Sequence, residues 1–262
     1  MQIVLGLVVI LVVATAAWLV LAVVMTARGL RRPPRRGVAR AIARGAPLAP
    51  HEAGWTAEEW FVRTEDGLDL PAWRWTTGAD GPVTILLHDW GDSRISELQH
   101  AASFVDDSRE LVVFDQRGHG EAPGECTLAR DEVDDVLAVM RVLGDGPFRL
   151  VGYGLGATTA LLVAGRTDIP VSEIVAIDPW PDDVDGVIAR LHEAGLAIRP
   201  TPVLFQVASR LAGVDIPRVG PGADGPRISI RERDDTATIP WSDRLAREDV
   251  EVSTIRADTS SS

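Results

Sequence analysis

The apolar positions of this chain change rhythm along its length. Ile3 to Met25 is an unbroken run of 23 residues without a charge or a proline. At roughly 1.5 Å per residue it makes about 35 Å of helix, enough to cross a hydrocarbon layer of roughly 30 Å. Met1-Gln2 provides no basic leader, so the run reads as a retained span rather than a cleaved signal peptide. Pro33-Pro34 stops the helix from simply continuing, and residues 26–50, rich in Arg, Gly, Ala and Pro, read as a juxtamembrane linker with one short helical patch at most.

From Trp60 the rhythm becomes that of strands. Trp60 to Glu65 and Leu70 to Thr76 flank Asp66-Gly67, a hairpin signal. Pro82 to His88 and Glu110 to Asp115 are continuous apolar runs, as expected of strands buried on both faces. Ile95 to Val105 has helical character between them. Val133, Val136, Leu137, Met140 and Leu143 fall at helical spacing. A strand is expected over 148–153, a helix over 155–165 and a strand over 173–178. Helices are expected around 183–194 and 202–212, a strand over 227–231, a short helix over 241–247 and a last strand over 250–255. Alternating strands and helices predict an α/β domain over 51–262, with a mainly parallel sheet and helices on both faces.

Charge divides the chain in the same way. All 26 basic residues are arginine, and seven of them (Arg28, Arg31, Arg32, Arg35, Arg36, Arg40 and Arg44) lie in the first 50 positions, which hold no acid. Positive charge within about 15–20 residues of a span stays on the cytoplasmic side. The pattern therefore predicts a single-pass cell-membrane protein with span 3–25 and a cytoplasmic C-terminal domain. Residues 51–262 carry 19 arginines against 38 acids, an excess that argues against nucleic-acid binding. The single cysteine, Cys126, excludes an internal disulfide and a multi-cysteine metal site. No metal and no cofactor is expected.

Four stretches carry candidate chemistry. Phe148 to Ala164 is a strand, then Gly152-Tyr153-Gly154-Leu155-Gly156, then a helix. Glycine at every second position lets the helix start close against the strand. Leu86-Leu-His-Asp-Trp-Gly-Asp-Ser93 follows an earlier strand. Val113-Phe-Asp-Gln-Arg-Gly-His-Gly-Glu-Ala122 follows the next. Arg231 to Pro240 follows a late one. A dinucleotide reading of Gly152-x-Gly154-x-x-Ala157, with Asp178 as a ribose ligand, competes for the first stretch. It places the fingerprint after three α/β units rather than in the first, and leaves Asp115-x-Arg-Gly-His-Gly120 unexplained.

Taken together and in this order, the four stretches resemble the α/β-hydrolase superfamily, in its esterase, lipase and aminopeptidase-like branch. The resemblance covers roughly residues 57–259, and the stretch with Asp115, Arg117, Gly118, His119 and Gly120 is its most specific part. It implies a serine on a strained elbow, a histidine base, an acid that orients the histidine, and two backbone N–H donors for the oxyanion. Carried over, the nucleophile position is Gly154, flanked by Gly152 and Gly156. The acid falls on Asp235, or on Asp234 if the register is one off. The histidine position is Thr259, and none of the five histidines follows Asp235. The donors would be the amides of Trp90 and Leu155. The family's His-Gly near them is His88-Asp89 here, and an inward carboxylate would repel an oxyanion. Because backbone donors survive side-chain changes, the hole is expected to persist as an anion or carbonyl pocket.

Residues 181–225 take the place of the family's lid in reduced form. The expectation is a catalytically silent α/β-hydrolase-fold module on a membrane anchor, binding a small apolar or acyl ligand or a protein partner. The rival class is a working hydrolase that uses a displaced nucleophile or a metal, with Ser93, Thr158 and Cys126 the candidate nucleophiles. His88 and His119 read as structural hydrogen-bonders, and Trp55, Trp60, Trp73 and Trp75 as core and edge packing, with Trp90 a pocket candidate.

Overall fold

The computed structural model describes residues 1–166, 169–216, 218–219, 227–233 and 250–255. Helix α1 runs from Gln2 to Arg31, past the end of the apolar run, and α2 (Gly37–Arg44) forms within the arginine-rich segment. The hairpin is β1 (Glu58–Arg63) and β2 (Asp69–Thr76). There follow β3 (Val83–Leu87), α3 (Arg94–Ala101), a 3-10 turn at Ala102–Asp107, β4 (Glu110–Phe114) and α4 (Glu132–Leu143). Then come β5 (Phe148–Tyr153), α5 (Leu155–Ala164), β6 (Val171–Ile177), α6 (Val184–Glu193), α7 (Pro202–Ala212), β7 (Arg227–Arg233) and β8 (Val250–Ile255). Asp235, Asp234, Thr259 and the helix expected over 241–247 lie outside the described residues.

The strands form one sheet in the order β1-β2-β4-β3-β5-β6-β7-β8. β1 and β2 pair antiparallel, as do β2 and β4; from β4 through β3 to β8 every pairing is parallel. Burial on both faces explains the unbroken apolar runs, and the period of two sorts them. Val83, Ile85 and Leu87 of β3 and Val112 and Phe114 of β4 face the core under α4 and α5. Leu86, Leu111 and Val113 face the opposite core with Trp73, Trp75 and Leu98. Trp55 stacks on Trp75 with centroids 5.2 Å apart, so these tryptophans pack the sheet edge.

A third cluster sits beyond the C-terminal ends of the parallel strands. It joins Trp90, Leu155 and Trp180 from the post-strand turns to Val187, Leu191 and Phe205 of α6 and α7, and to Leu30 of α1. The end of the N-terminal helix is therefore built into the domain. The Cys126 amide donates to the Arg31 carbonyl at 2.8 Å, and Arg31 and Arg32 both pair with Glu125. Further on, Arg36 N donates to Gly91 O at 3.3 Å and Arg40 pairs with Asp92 at 3.0 Å.

The loop after β4 is fixed from beneath. Arg117 lies buried and reaches Asp135 of α4 through two bonds, Nε to Oδ2 at 2.7 Å and Nη2 to Oδ1 at 2.6 Å, and it also reaches Asp66 in the hairpin turn. Removing one partner of a buried pair leaves the other charge stranded. Arg117→Ala is thus expected to cost about 3–5 kcal/mol, read as a lower urea midpoint. A change under about 1 kcal/mol would mean that Asp135 finds water or another partner.

Candidate functional site

The three turns that follow β3, β5 and β6 converge at the C-terminal edge of the sheet, where open α/β folds place their ligands. The turn after β5 keeps the geometry of an elbow. Gly154 has φ 54 and ψ −115 and begins α5. A Cβ at Gly152 would overlap the backbone of Gly156 and Ala157, and one at Gly156 would overlap the Leu87 carbonyl. The flanking glycines are therefore steric requirements of α5 starting hard against β3 and β5.

Asp89 occupies the space above this elbow. Its Oδ1 accepts from the Trp90 amide at 2.7 Å, the Leu155 amide at 2.7 Å and the Trp180 indole N–H at 3.0 Å. A Cβ on Gly154 would collide with the same carboxylate. The two amides expected to serve an anion or carbonyl group thus both donate to a carboxylate of the chain itself. Burial holds the Asp89 carboxyl above the usual aspartate range, while the Leu155, Trp90 and Trp180 donors and the Arg190 charge oppose it.

Trp180, which completes this arrangement, is not among the residues that the sequence singles out. Its backbone N–H donates to Thr158 Oγ1 at 2.9 Å, fixing the indole over Asp89. Asp178, just before it, adopts φ 54 and binds Arg190 of α6. The available signal is the stretch Asp178-Pro-Trp-Pro181 directly after a strand, where two prolines restrict the backbone at a site-forming edge.

The histidines act as struts. His88 Nε2 accepts from the Gln116 amide at 3.0 Å, so Nδ1 carries the proton and donates to Asp89 O at 2.8 Å. This bond ties the Asp89 backbone to the loop after β4. His119 Nδ1 donates to Arg117 O at 2.9 Å, and its ring meets that of His88 edge-on at 5.0 Å. Burial first, then neighbouring His88, brings the His119 pKa down to about 3, so it stays neutral. Asp115 accepts from the amides of Arg94 and Glu121 at 2.7 and 2.8 Å and pairs with the Arg94 guanidinium. Gly120, at φ 48, passes so close to Asp115 that no side chain fits. Asp115, Arg117, Gly118, His119 and Gly120 therefore hold the loop after β4 in place.

The candidate displaced nucleophiles are all buried, and among the described residues none is hydrogen-bonded to a histidine base. The Thr158 hydroxyl bonds Trp180. Ser93 Oγ is buried against Gly37 of α2. Cys126 is buried, and burial followed by the Glu132 charge pushes its thiol well above the usual range, away from the reactive thiolate. Among the described residues no group of three or more His, Cys, Asp or Glu is placed to hold a metal ion.

Glu97 of α3 is 2% exposed, and its Oε2 lacks a hydrogen-bond partner. Burial, then the charges of Asp92 and Asp89, push its carboxyl well above the usual range. The fold therefore keeps a proton that the unfolded chain releases, and Glu97's contribution is complete below pH 4.5 and falls as pH rises. Glu97→Gln removes this dependence. Its stability advantage over the parent should widen between about pH 5 and 8, by at most ~1.4 kcal/mol per pH unit, in paired thermal melts. A constant gap would show that Glu97 is ionised in the fold.

A family model for the alpha/beta hydrolase fold matches residues 83–200. Protein phosphatase methylesterase 1 of Bos taurus is 32% identical over 101 residues, 36% of this chain and 27% of that protein. A serine hydrolase-like protein of Dictyostelium discoideum is 26% identical over 125 residues, 46% of this chain and 35% of its own length. The chain thus spans well under half of these relatives. Among solved structures, an esterase of Pyrococcus furiosus superposes with a TM-score of 0.66 at 18% identity, covering 87% of this chain and 90% of its own. The bottromycin epimerase BotH, solved in complex with bottromycin A2, gives 0.57 at 21%, covering 76% and 91%. These likenesses establish the fold, which serves an esterase in one of those proteins and an epimerase in the other.

Proposed function

For this chain, which belongs by fold to the α/β hydrolases, we propose the role of a membrane-anchored module without hydrolytic chemistry, working through its surface rather than through a substrate pocket. The observation that carries the reading is Asp89. In an acyl-transfer site the two amides at the elbow must point at developing negative charge. Here they point at a carboxylate of the chain itself, which also fills the space of a side chain at position 154. The resemblance places the missing serine at Gly154 and the missing histidine at Thr259, and loss of either alone costs orders of magnitude in rate.

The volume in front of the elbow supports the same reading. Leu30, Trp90, Leu155 and Trp180 are each at most 1% exposed and share one apolar cluster. An acyl chain entering there would have to displace the end of α1. A protein partner at the membrane therefore fits the geometry better than a small apolar ligand. The 30-residue α1 is long and apolar enough to span a bilayer, and the seven arginines that follow its apolar run favour a cytoplasmic domain. The test is fluorophosphonate labelling and ester turnover by the full chain in detergent or nanodiscs. Silence on both is expected. A labelled residue that survives repurification would refute the reading and locate a nucleophile.

A further inference from the structure

Helix α7 has two apolar faces. Phe205, Ala208, Ser209 and Ala212 are buried, and Phe205 and Ala212 join the cluster that contains Leu30. Val203, Val207 and Leu211, one turn apart on the opposite side, are 73%, 43% and 70% exposed. Amphipathic surface helices have one apolar stripe facing the core and a polar back. α7 instead sets valine and leucine on its exposed side, beside exposed Gln206 and Arg210.

The register of α7 against α1 indicates what meets this second face. α7 packs along the last turns of α1, where Ala22, Thr26 and Leu30 are the buried positions, spaced four apart. Every residue of α1 before Ala22 is exposed. Ala22 lies within the apolar run that ends at Met25, so α7 reaches the depth at which the span leaves the hydrocarbon. Because α1 is one continuous helix through Arg31, that depth is fixed by the fold and not by a flexible tether.

We propose that α7 lies at the membrane boundary and sets Val203, Val207 and Leu211 into the lipid beside α1, making the cap region an interfacial helix. This rests on the reading of α1 as a membrane span. Immersing such a face removes exposed apolar surface from water at the acyl–headgroup boundary. The domain would then be held in one orientation, with the edge of the sheet that carries Asp89 turned toward the bilayer.

The test uses the full chain in vesicles of phosphatidylcholine and phosphatidylglycerol, with an environment-sensitive fluorophore on one introduced cysteine at a time. Cys126 is buried and its raised thiol pKa keeps it from competing. Val207→Cys reports the proposed face. Val142→Cys, exposed near the end of α4 just before β5 begins, reports the opposite edge of the sheet. Val12→Cys reports the span. Lipids carrying a nitroxide near the headgroup should quench the Val207 label severalfold more than the Val142 label, and lipids labelled deep in the chain should quench Val12. Quenching at Val12 with none at Val207 overturns the interfacial helix and leaves the span intact. No quenching at Val12 removes the span itself, and the proposal with it. A Val207 label shielded equally in vesicles and detergent, with disulfide-linked dimers forming through that cysteine, assigns the face to a second copy and overturns the proposal.

Discussion

A chain carrying Gly154→Ser and Thr259→His should remain unlabelled by a fluorophosphonate, and adding Asp89→Gly should make it reactive. The two substitutions restore the residue types whose absence is visible in the sequence, but they leave Asp89 Oδ1 on both elbow amides. Losing one oxyanion donor typically costs about 10²–10³ in rate. Here two are engaged, so the triple variant should react at least ~10²-fold faster than the double. The order of stabilities should also invert normal expectation. A serine introduced at Gly154 must adopt φ 54, a strained backbone costing roughly 1–3 kcal/mol, and its Cβ overlaps the Asp89 carboxylate. Removing Asp89 should therefore stabilise the protein that carries Gly154→Ser, while leaving the Trp180 indole without its acceptor. A thermal melt of the double and triple variants measures that coupling. Equal labelling of the two variants would mean that Asp89 swings out of the site and does not block it.

How far the sequence reaches is clear from these same residues. The strands, the elbow and the loop after β4 are legible because apolar runs, glycine spacing and Asp115-x-Arg-Gly-His-Gly120 are local signals. For Asp89 the sequence stops one step short. Its chemistry is plain, but whether it turns inward depends on Trp180, 91 residues away, and on the absence of a side chain at Gly154. Two unusual positions, an acid for a glycine and a glycine for a serine, compensate for each other in space. Sequence spacing does not encode that complementarity. The arginine-rich segment reads as a linker for a similar reason. Its composition of Arg, Gly, Ala and Pro shows no long apolar stripe at helical spacing, and the fully buried Leu30 lies just past a run already explained as a span.

That residue underlies the second large effect. Cutting the chain before residue 51, or replacing Leu30 by Ala, should destabilise the domain. Two kinds of interaction tie this segment down, and magnitudes separate them. The ion pairs of Arg31 and Arg32 with Glu125 involve side chains 45%, 57% and 27% exposed, and such pairs are worth little, about 0–1 kcal/mol. Leu30 is fully buried in the cluster that holds Trp90, Leu155, Trp180 and Phe205, and truncating a buried leucine to alanine typically costs about 2–5 kcal/mol. Leu30→Ala should therefore lower the denaturation midpoint of the detergent-solubilised chain far more than Glu125→Gln does. The truncated domain loses the Arg31 carbonyl that accepts from the Cys126 amide as well. It should bind a hydrophobic dye, because the floor of the third cluster is left open to water. A truncated domain as stable as the full chain would show that residues 26–50 merely lie against it, and that the space before the elbow is available to a ligand after all. Destabilisation by Leu30→Ala alone would show the opposite: the helix end that reads as an anchor is also the core residue that closes the site.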